Sequence, residues 1–273
     1  MFAVFWAFVH LFKSPVVISW VLAIAGLITL TAMSVPKLRA TNISAANLTV
    51  SFNSPPIWLD DSLLRELQDI ARIHLTQTTV GRDGLIQTAN ALASTGWFRN
   101  INQVQWVNDN EAIVNASFLI PYARVQDRKG TVYIDIQGRR LPTRVGAIVT
   151  PKYHFITLVQ PEFERPQRPG LQWNGGDILS GLSLLNLLYN KPWATQIQKI
   201  NLSHWASNGS MTLETDVPSF LIWGSAPGEE RGLEALADHK IKRLDHLHAK
   251  HGRIDQGITA EFDLTNTSAV ILN

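Results

Sequence analysis

The sequence predicts an α+β protein with a single N-terminal transmembrane helix. Three observations support this prediction. The run from Val16 to Val35 contains no charged residue over 20 positions. Residues 41–121 show the hydrophobic patterns of strand, helix, helix, strand and strand, in that order. Residues 122–273 consist mainly of short strands, with an amphipathic helix late in the chain.

The apolar run Val16–Val35 matches the thickness of a bilayer. A hydrocarbon core about 30 Å thick needs about 20 helical residues. Pro15 and Pro36 flank the run at positions where a helix begins and stops. A cleavable signal peptide is the alternative, but its apolar region is usually only about 7–15 residues long. We therefore predict a transmembrane helix at residues 16–35.

The orientation of this helix is inferred from the size of its flanking segments. Lys13 lies on one side of the helix, and Lys37 and Arg39 lie on the other. The distribution of positive charge therefore does not decide the orientation. Because a short tail, residues 1–15, precedes the helix and a whole folded region follows it, we predict a cytoplasmic N-terminus.

Composition excludes several classes of function. The chain has no cysteine, which excludes disulfides, thiolate catalysis and cysteine metal ligands. Its formal net charge is +2, and its basic clusters, such as Lys240–Arg243, are short. A nucleic-acid interface needs a larger basic surface, so we expect no nucleic-acid partner.

Residues 41–121 are predicted to form a compact α+β domain. Leu48, Val50 and Phe52 alternate with polar residues and predict a first strand. Asp60 or Asp61 provides an N-cap for a helix that runs to about Leu75. A second helix is predicted near 85–94, and a strand pair follows around the turn at 108–110.

Residues 122–273 are predicted to form a second, β-rich domain. Alternating apolar residues predict strands at 131–136, 155–159, 197–202, 211–217 and 220–223. An apolar helix is predicted at Ile178–Leu188, and a basic amphipathic helix from Glu229 to His251. A last pair of strands is predicted at 258–264 and 269–272.

No combination of residues predicts an enzyme. The basic helix carries several histidines, which are potential zinc or nickel ligands, but basic residues also suit the negative end of a helix. The nine tryptophans are compatible with a glycan groove or with core packing. No nucleophile elbow or phosphate-binding loop is present in the sequence. We expect no catalytic residue, metal, cofactor or small-molecule substrate. The histidines of the basic helix are His239, His246, His248 and His251.

Five segments, in this order and spacing, resemble the FtsQ/DivIB family of bacterial cell-division proteins. The segment Gly96–Phe98 resembles the family's sequence after the second helix, and Pro121–Ala123 resembles its junction between domains. The segment Tyr133–Gly138 resembles a hairpin of the family, and Phe220–Gly224 resembles its passage from strand to basic helix. His251–Phe262 resembles its closing strand. The resemblance covers about residues 10–272.

This resemblance implies a fold, a location and a function. Residues 41–121 are expected to be a POTRA-type (polypeptide-transport-associated) domain, and residues 122–273 a partner-binding domain. The protein is expected to be a non-enzymatic scaffold of the divisome, in the bacterial inner membrane at the division septum. Its expected partners are small single-span coiled-coil proteins of the FtsB/DivIC and FtsL types and other septal membrane proteins.

The resemblance also implies a binding mode, in which a partner adds a strand to an exposed edge of the C-terminal domain. Strand addition uses unpaired backbone groups together with pockets for alternate side chains. We predict that one face of the closing strand forms this site, with Phe262 as its anchor. The alternative is that Phe262 packs in the core. The predicted residues are Ile258, Ala260, Phe262 and Leu264.

Two other functions are compatible with the same sequence. One is a POTRA-bearing component of envelope export or assembly, although such proteins usually repeat the POTRA unit or carry a barrel. The other is a membrane-anchored protein that binds or cleaves the cell wall. A cell-wall hydrolase needs a paired-carboxylate cleft, and the carboxylates of this sequence are scattered.

Overall fold

The computed structural model describes residues 19, 23–29, 48–77, 82–143, 153–266 and 270–272, without the side chains of 270–272. Residues 23–29 are helical. Within the described residues, no helix combines the length and the apolar character that a membrane crossing requires. The predicted tail, and the predicted membrane helix apart from residues 19 and 23–29, lie outside the described residues.

A three-stranded module follows the predicted order of elements. It contains β1 (Thr49–Phe52), α1 (Asp61–Gln77), α2 (Arg82–Ser94), β2 (Phe98–Asn108) and β3 (Glu111–Phe118). The strand order is β1-β3-β2, with β1 parallel and β2 antiparallel to β3. The buried residues of α1, spaced four apart, pack with the sheet in one core. They are Leu63, Leu67, Ala71 and Leu75.

An eight-stranded sheet dominates the rest of the chain. Its order is β5-β4-β6-β7-β8-β9-β10-β11. The strands are β4 (Ala123–Asp127), β5 (Gly130–Ile134), β6 (Thr157–Val159), β7 (Ile197–Asn201), β8 (Met211–Thr215), β9 (Phe220–Gly224), β10 (Glu261–Asp263) and β11 (Val270–Leu272). The helices are α3 (Asp177–Leu188), α4 (Trp205–Asn208) and α5 (Ala237–His251), with a 3-10 turn at Ala194–Gln196.

Helices cover one face of this sheet. The strand registers align seven buried apolar residues in a row that crosses β5 to β10. This row and the inner faces of α3 and α5 belong to one core. The neighbouring positions, except Val159 of β6, are polar or partly exposed, so the helices cover one side of the sheet, as is common for antiparallel and mixed sheets. The row consists of Val132, Val125, Leu158, Ile200, Leu213, Leu221 and Phe262.

The basic helix begins later than the sequence predicted. We expected a start at Glu229, whereas α5 starts at Ala237. Gly228 and Gly232 adopt positive φ angles of 85° and 62°, which place the intervening segment in a loop. The Glu230 carboxylate accepts a hydrogen bond from Ala237 N at 2.9 Å. Glu230 therefore caps the helix from outside instead of forming its first turn.

Strand β4 was not predicted, and it joins the early part of the second region to its centre. Ala123 and Val125 are buried and alternate with the polar residues Arg124 and Gln126. The strand pairs antiparallel with β5 and parallel with β6. This alternation includes only two apolar residues, and the parallel partner β6 is distant in sequence, so the strand was missed.

Candidate partner-binding edge

The predicted binding strand does not form the edge of the sheet. Strand β10 pairs with β9 on one side and with β11 on the other. The prediction that its residues line an exposed edge is therefore wrong as to position. The terminal strand is β11.

The four predicted residues occupy different environments. Phe262 is 4% exposed and Leu264 is 1% exposed, and both belong to the core. Ala260 is partly buried against the same core, and Ile258 is 45% exposed in the loop before β10. Phe262 faces the helices, as the alternative prediction stated. No contact with a partner is described for any of the four, so their role in binding stays a prediction.

Backbone hydrogen bonds attach β10 firmly to β9. Phe220 N donates to Ala260 O, and Leu264 N donates to Ile222 O, each at 3.0 Å. The Ser219 hydroxyl donates to Ile258 O. Arg243 of α5 donates to Leu264 O at 3.2 Å. The strand that supports the edge is therefore fixed at both ends.

The orientation of backbone groups follows from these bonds. Along a strand, the N–H and C=O of one residue point to the same side, and successive residues alternate. Because Ala260 and Leu264 point toward β9, Phe262 does so too, and Glu261 and Asp263 point toward β11. Glu261 is opposite Leu272, and Asp263 is opposite Val270. The backbone N–H and C=O of Ile271 therefore point away from the sheet, where a further strand would bind.

An ion-pair cluster holds the segment that leads into β10. Arg253 binds Asp255 through Nε at 2.7 Å and Nη2 at 2.8 Å, and it also pairs with Asp216. The Thr215 hydroxyl donates to Asp255 at 2.7 Å. The Asp255 side chain is fully buried. This cluster ties residues 253–255 to the end of β8.

These contacts lower the pKa of Asp255. Burial by itself raises the pKa of this carboxyl, but hydrogen bonds from Arg253, Thr215 and Gly257 N favour the charged form. The net result is a pKa of about 2. Hydrogen bonds to Asp255 and Asp216 raise the pKa of Arg253 above its ordinary value. The cluster is consequently fully charged at neutral pH.

A second buried ion pair fixes the other end of β9. Lys240 of α5 is fully buried and donates to Trp223 O at 2.5 Å and to Glu234 at 2.6 Å. Its Nζ lies 4.9 Å from the Trp223 ring centroid. Burial alone raises the pKa of Glu234, but hydrogen bonds from Lys240 and Ser225 outweigh it, and the pKa is lowered. Sequence patterns had marked Lys240 only as part of a basic cluster.

The uncovered face of the sheet presents side chains beside this edge. Phe220 is 44% exposed, and Glu261, its neighbour on β10, is exposed as well. Ile222 and Asp263 form the next pair and are partly exposed. These residues were not predicted from the sequence. They are placed to contact the side chains of an added strand. Phe220–Trp223 is a continuous apolar run, so the sequence held no signal of which of its side chains face outward.

The histidine side chains of α5 do not converge on one point. His239 and His246 are exposed on its outer side, and His248 is partly exposed. Among the described residues, which include the whole of α5, no group of three or more histidine or acidic side chains is placed to hold a metal ion.

Comparison with known proteins adds no assignment. No protein-family model matches the chain, and no curated protein matches it significantly. A proposal about function therefore depends on the geometry described above and on the resemblance in the sequence.

Proposed function

We propose that this protein is a scaffold of the bacterial divisome, similar to FtsQ/DivIB proteins, that sits in the inner membrane and binds partners by strand addition at β11. The order of elements in residues 48–119 is the order expected of a POTRA-type domain. The terminal strand β11 carries the proposal, because the Ile271 backbone groups point away from its only described neighbour.

The proposed partner is a small coiled-coil protein of the FtsB/DivIC type that pairs with β11. Main-chain hydrogen bonds to Ile271 would provide the register. Side chains on the uncovered face, beside Glu261 and Phe220, would provide specificity. Phe262 and Leu264 would stabilise the position of β10 through their packing in the core, and would not contact the partner.

Strand β11 is a better candidate for pairing than β2, a long strand at the edge of the three-stranded sheet. Strand β2 spans 11 residues and, among the described strands, pairs only with β3, so it also has a free side. Its pairing shifts register at three places, between 98 and 100, 101 and 103, and 106 and 108. Such irregularities twist a strand and reduce its ability to pair with another chain. An export protein that captures extended chains would need a more regular β2 edge.

The first test is the position of the protein in growing cells of the source organism. A fluorescent protein fused to the N-terminus should form a band at midcell before constriction. The control fuses the same fluorescent protein to residues 1–40 alone, which lack both sheets. An even distribution of the full chain around the envelope would contradict the division role.

The second test removes one hydrogen-bond donor from the edge. Ile271→Pro deletes an N–H that points outward, so the pairing of β11 with β10 loses no bond. Ile271→Ala is the matched control, since it shortens the side chain and keeps the donor. Copurification of the FtsB/DivIC-type and FtsL-type proteins with the full chain should fall with Ile271→Pro and persist with Ile271→Ala. Equal recovery with both variants would rule out strand addition at β11.

A further inference from the structure

The outer side of α5 carries a stripe of basic residues. His239, Lys242, His246 and Lys250 are spaced by three or four positions and are all exposed. Such spacing places side chains on one face of a helix. The opposite face, with Ile241 and Leu244, is buried in the core. The stripe therefore belongs to the surface of the protein along the whole length of this helix.

Acidic side chains do not neutralise this stripe. Among the described residues, no carboxylate forms an ion pair with any of its four members, and Asp238 at the start of α5 has no ion pair. Asp245 is engaged elsewhere, since it accepts a hydrogen bond from Trp193 Nε1 at 2.8 Å and lies 3.5 Å from Lys191. The two lysines thus keep their charge available to a ligand.

Two exposed leucines lie next to the stripe. Leu233 is 95% exposed and Leu236 is 57% exposed, in the loop that enters α5. Leu236 is the N-cap residue of α5, so it lies directly before the first turn, which carries His239. Gly232, with φ of 62°, turns the chain just before Leu233. An exposed apolar loop thereby continues directly into a basic helix face.

We propose that this surface, formed by Leu233, Leu236, His239, Lys242, His246 and Lys250, binds a bilayer that contains anionic phospholipid. Because the apolar face of α5 is buried in the core, only the two loop leucines are free to insert, and the lysines supply electrostatic attraction to anionic headgroups. Each Lys or Arg near an anionic membrane contributes attraction that falls off within a Debye length.

The shape of the surface favours a lipid over a protein ligand. The stripe lies on the convex outside of a helix and contains no Trp or Tyr, the residues that usually dominate protein interfaces. Flexible lysines and isolated leucines need no complementary pocket when the ligand is a fluid surface. This proposal does not depend on a role in cell division, and it would hold for any protein with this domain held beside a membrane.

The absence of cysteine allows a direct test with a single label. Leu233→Cys is coupled to an environment-sensitive fluorophore in the full chain, which is reconstituted into vesicles. Ile57→Cys is the matched control, because Ile57 is also 95% exposed and lies near Asp60 and Asp61. The emission at 233 should shift to the blue in vesicles that contain phosphatidylglycerol, and not in phosphatidylcholine alone. The emission at 57 should be the same in both.

Charge removal distinguishes electrostatic attraction from simple insertion. Lys242→Gln with Lys250→Gln should weaken the membrane contact of residue 233 by roughly tenfold or more in anionic vesicles. Arg128→Gln with Lys129→Gln removes the same charge from an exposed turn and should leave the contact unchanged. A blue shift that is equal in both lipids, or that survives the loss of both lysines, would overturn the proposal. Equal emission from labels at 233 and 57 would overturn it as well.

Discussion

The two ends of the eight-stranded sheet are finished in different ways. Beyond β5, the chain adds isolated bridges that pair Ile134 with Arg140 and Arg139 with Gln172. Leu141, in this added segment, is fully buried in the core of the three-stranded module. Beyond β11, no further strand is present among the described residues. Within the described residues, one end is closed by the protein itself and the other is left open.

The difference determines which end of the sheet leaves unpaired backbone groups within the described residues. A free strand edge pairs with any compatible segment unless it is covered, shortened or distorted. At the β5 end, the segment at 139–141 forms backbone hydrogen bonds with Tyr133 and Asp135, such as Leu141 N to Tyr133 O at 2.9 Å. At the β11 end, the strand has three residues, so only a short and specific pairing is available. The closed end depends on packed backbone, and the open end depends on Phe262 and on buried ion pairs.

The largest effect is expected from Phe262→Ala at the open end. Truncation of a buried phenylalanine leaves a cavity and costs about 3–5 kcal/mol of unfolding free energy. Phe262 lies in the apolar row opposite Leu221, in the strand that pairs with β11. Its loss should therefore destabilise the edge as well. Urea denaturation of the full chain measures the change.

A second variant separates stability from partner recognition at Phe262. Phe262→Leu keeps most of the buried volume and should cost about 1–1.5 kcal/mol. Partner recovery should be retained with Phe262→Leu at temperatures where the protein remains folded. If Phe262→Leu abolished binding while the domain stayed folded, Phe262 would touch the partner, as the sequence first suggested.

The closed end is expected to be sensitive at Gly96. A Cβ at this position would lie 2.5 Å from Pro169 Cβ and 2.9 Å from Pro169 C, in the loop of the second region. Gly228→Ala is the matched control, because Gly228 has φ of 85° against 77° for Gly96 and no atom within 4 Å. Gly96→Ala should cost about 1–3 kcal/mol more than Gly228→Ala, since only Gly96 combines strain with overpacking. Equal costs in urea denaturation would show that the contact yields easily.

Acid should weaken the open end selectively. The pKa of Asp255 is about 2 in the folded protein, below the value of about 3.9 for an unfolded chain. Its contribution of about 2 kcal/mol is therefore complete above pH ~4 and is lost as the pH falls from ~4 to ~2. Asp255→Asn should lower stability at pH 6 and lose less of it than the original chain between pH 4 and pH 2.

The control for acid sensitivity is an exposed acid far from the ion-pair cluster. Asp109 lies in the exposed turn between β2 and β3. Asp109→Asn should leave the acid dependence of unfolding close to that of the original chain. If Asp109→Asn and Asp255→Asn changed the profile equally, the acid sensitivity would be a property of the whole surface and not of this cluster.

Local patterns predicted the elements better than their positions in the sheet. The inward face predicted for α1, with Leu63, Leu67, Ile70 and His74, identifies the helix because a helix repeats every 3.6 residues. The structure buries Leu63 and Leu67, but it then buries Ala71 and Leu75 and leaves Ile70 and His74 partly exposed. The alternation around Phe262 predicts a strand and a buried side chain equally well. Whether that strand lies at the edge depends on pairing with β11 and β9, which are contacts that local sequence does not encode. The covalent order of the segments says nothing of these registers.

The candidate site was therefore only partly predictable. The basic helix was recognised, but its start at Ala237 depends on Glu230 and on turns at two glycines. Two other features connect segments that are distant in sequence: the contact between Gly96 and Pro169, and the burial of Lys240. Local periodicity therefore does not predict them. Ile271, the residue that offers its backbone, looked like any other member of a short apolar strand.

The smallest effect is expected from Arg99→Ala at the closed end. Arg99 Nη2 lies 3.9 Å from Asp135 Oδ2, and the Arg99 side chain is 40% exposed. Asp135 is fully buried, and its other oxygen already accepts hydrogen bonds from Gln137 N and Arg139 N. Since water screens a partly exposed charge, the loss should be about 0.5–1 kcal/mol and should shrink in high salt. Arg128→Ala, in an exposed turn, is the control.

The salt dependence of this small effect tells whether the closed end relies on charge at all. Gly96 and Arg99 are three residues apart and face the same second region. If both variants loosen the same contact with that region, their losses of unfolding free energy should be less than additive. Unfolding of Arg99→Ala, Gly96→Ala and the double variant in urea measures this coupling. Full additivity would mean that the ion pair and the backbone contact hold separate parts of the boundary. If Arg99→Ala lowered the unfolding free energy by more than about 2 kcal/mol, the buried Asp135 carboxylate would require Arg99 as its charge partner.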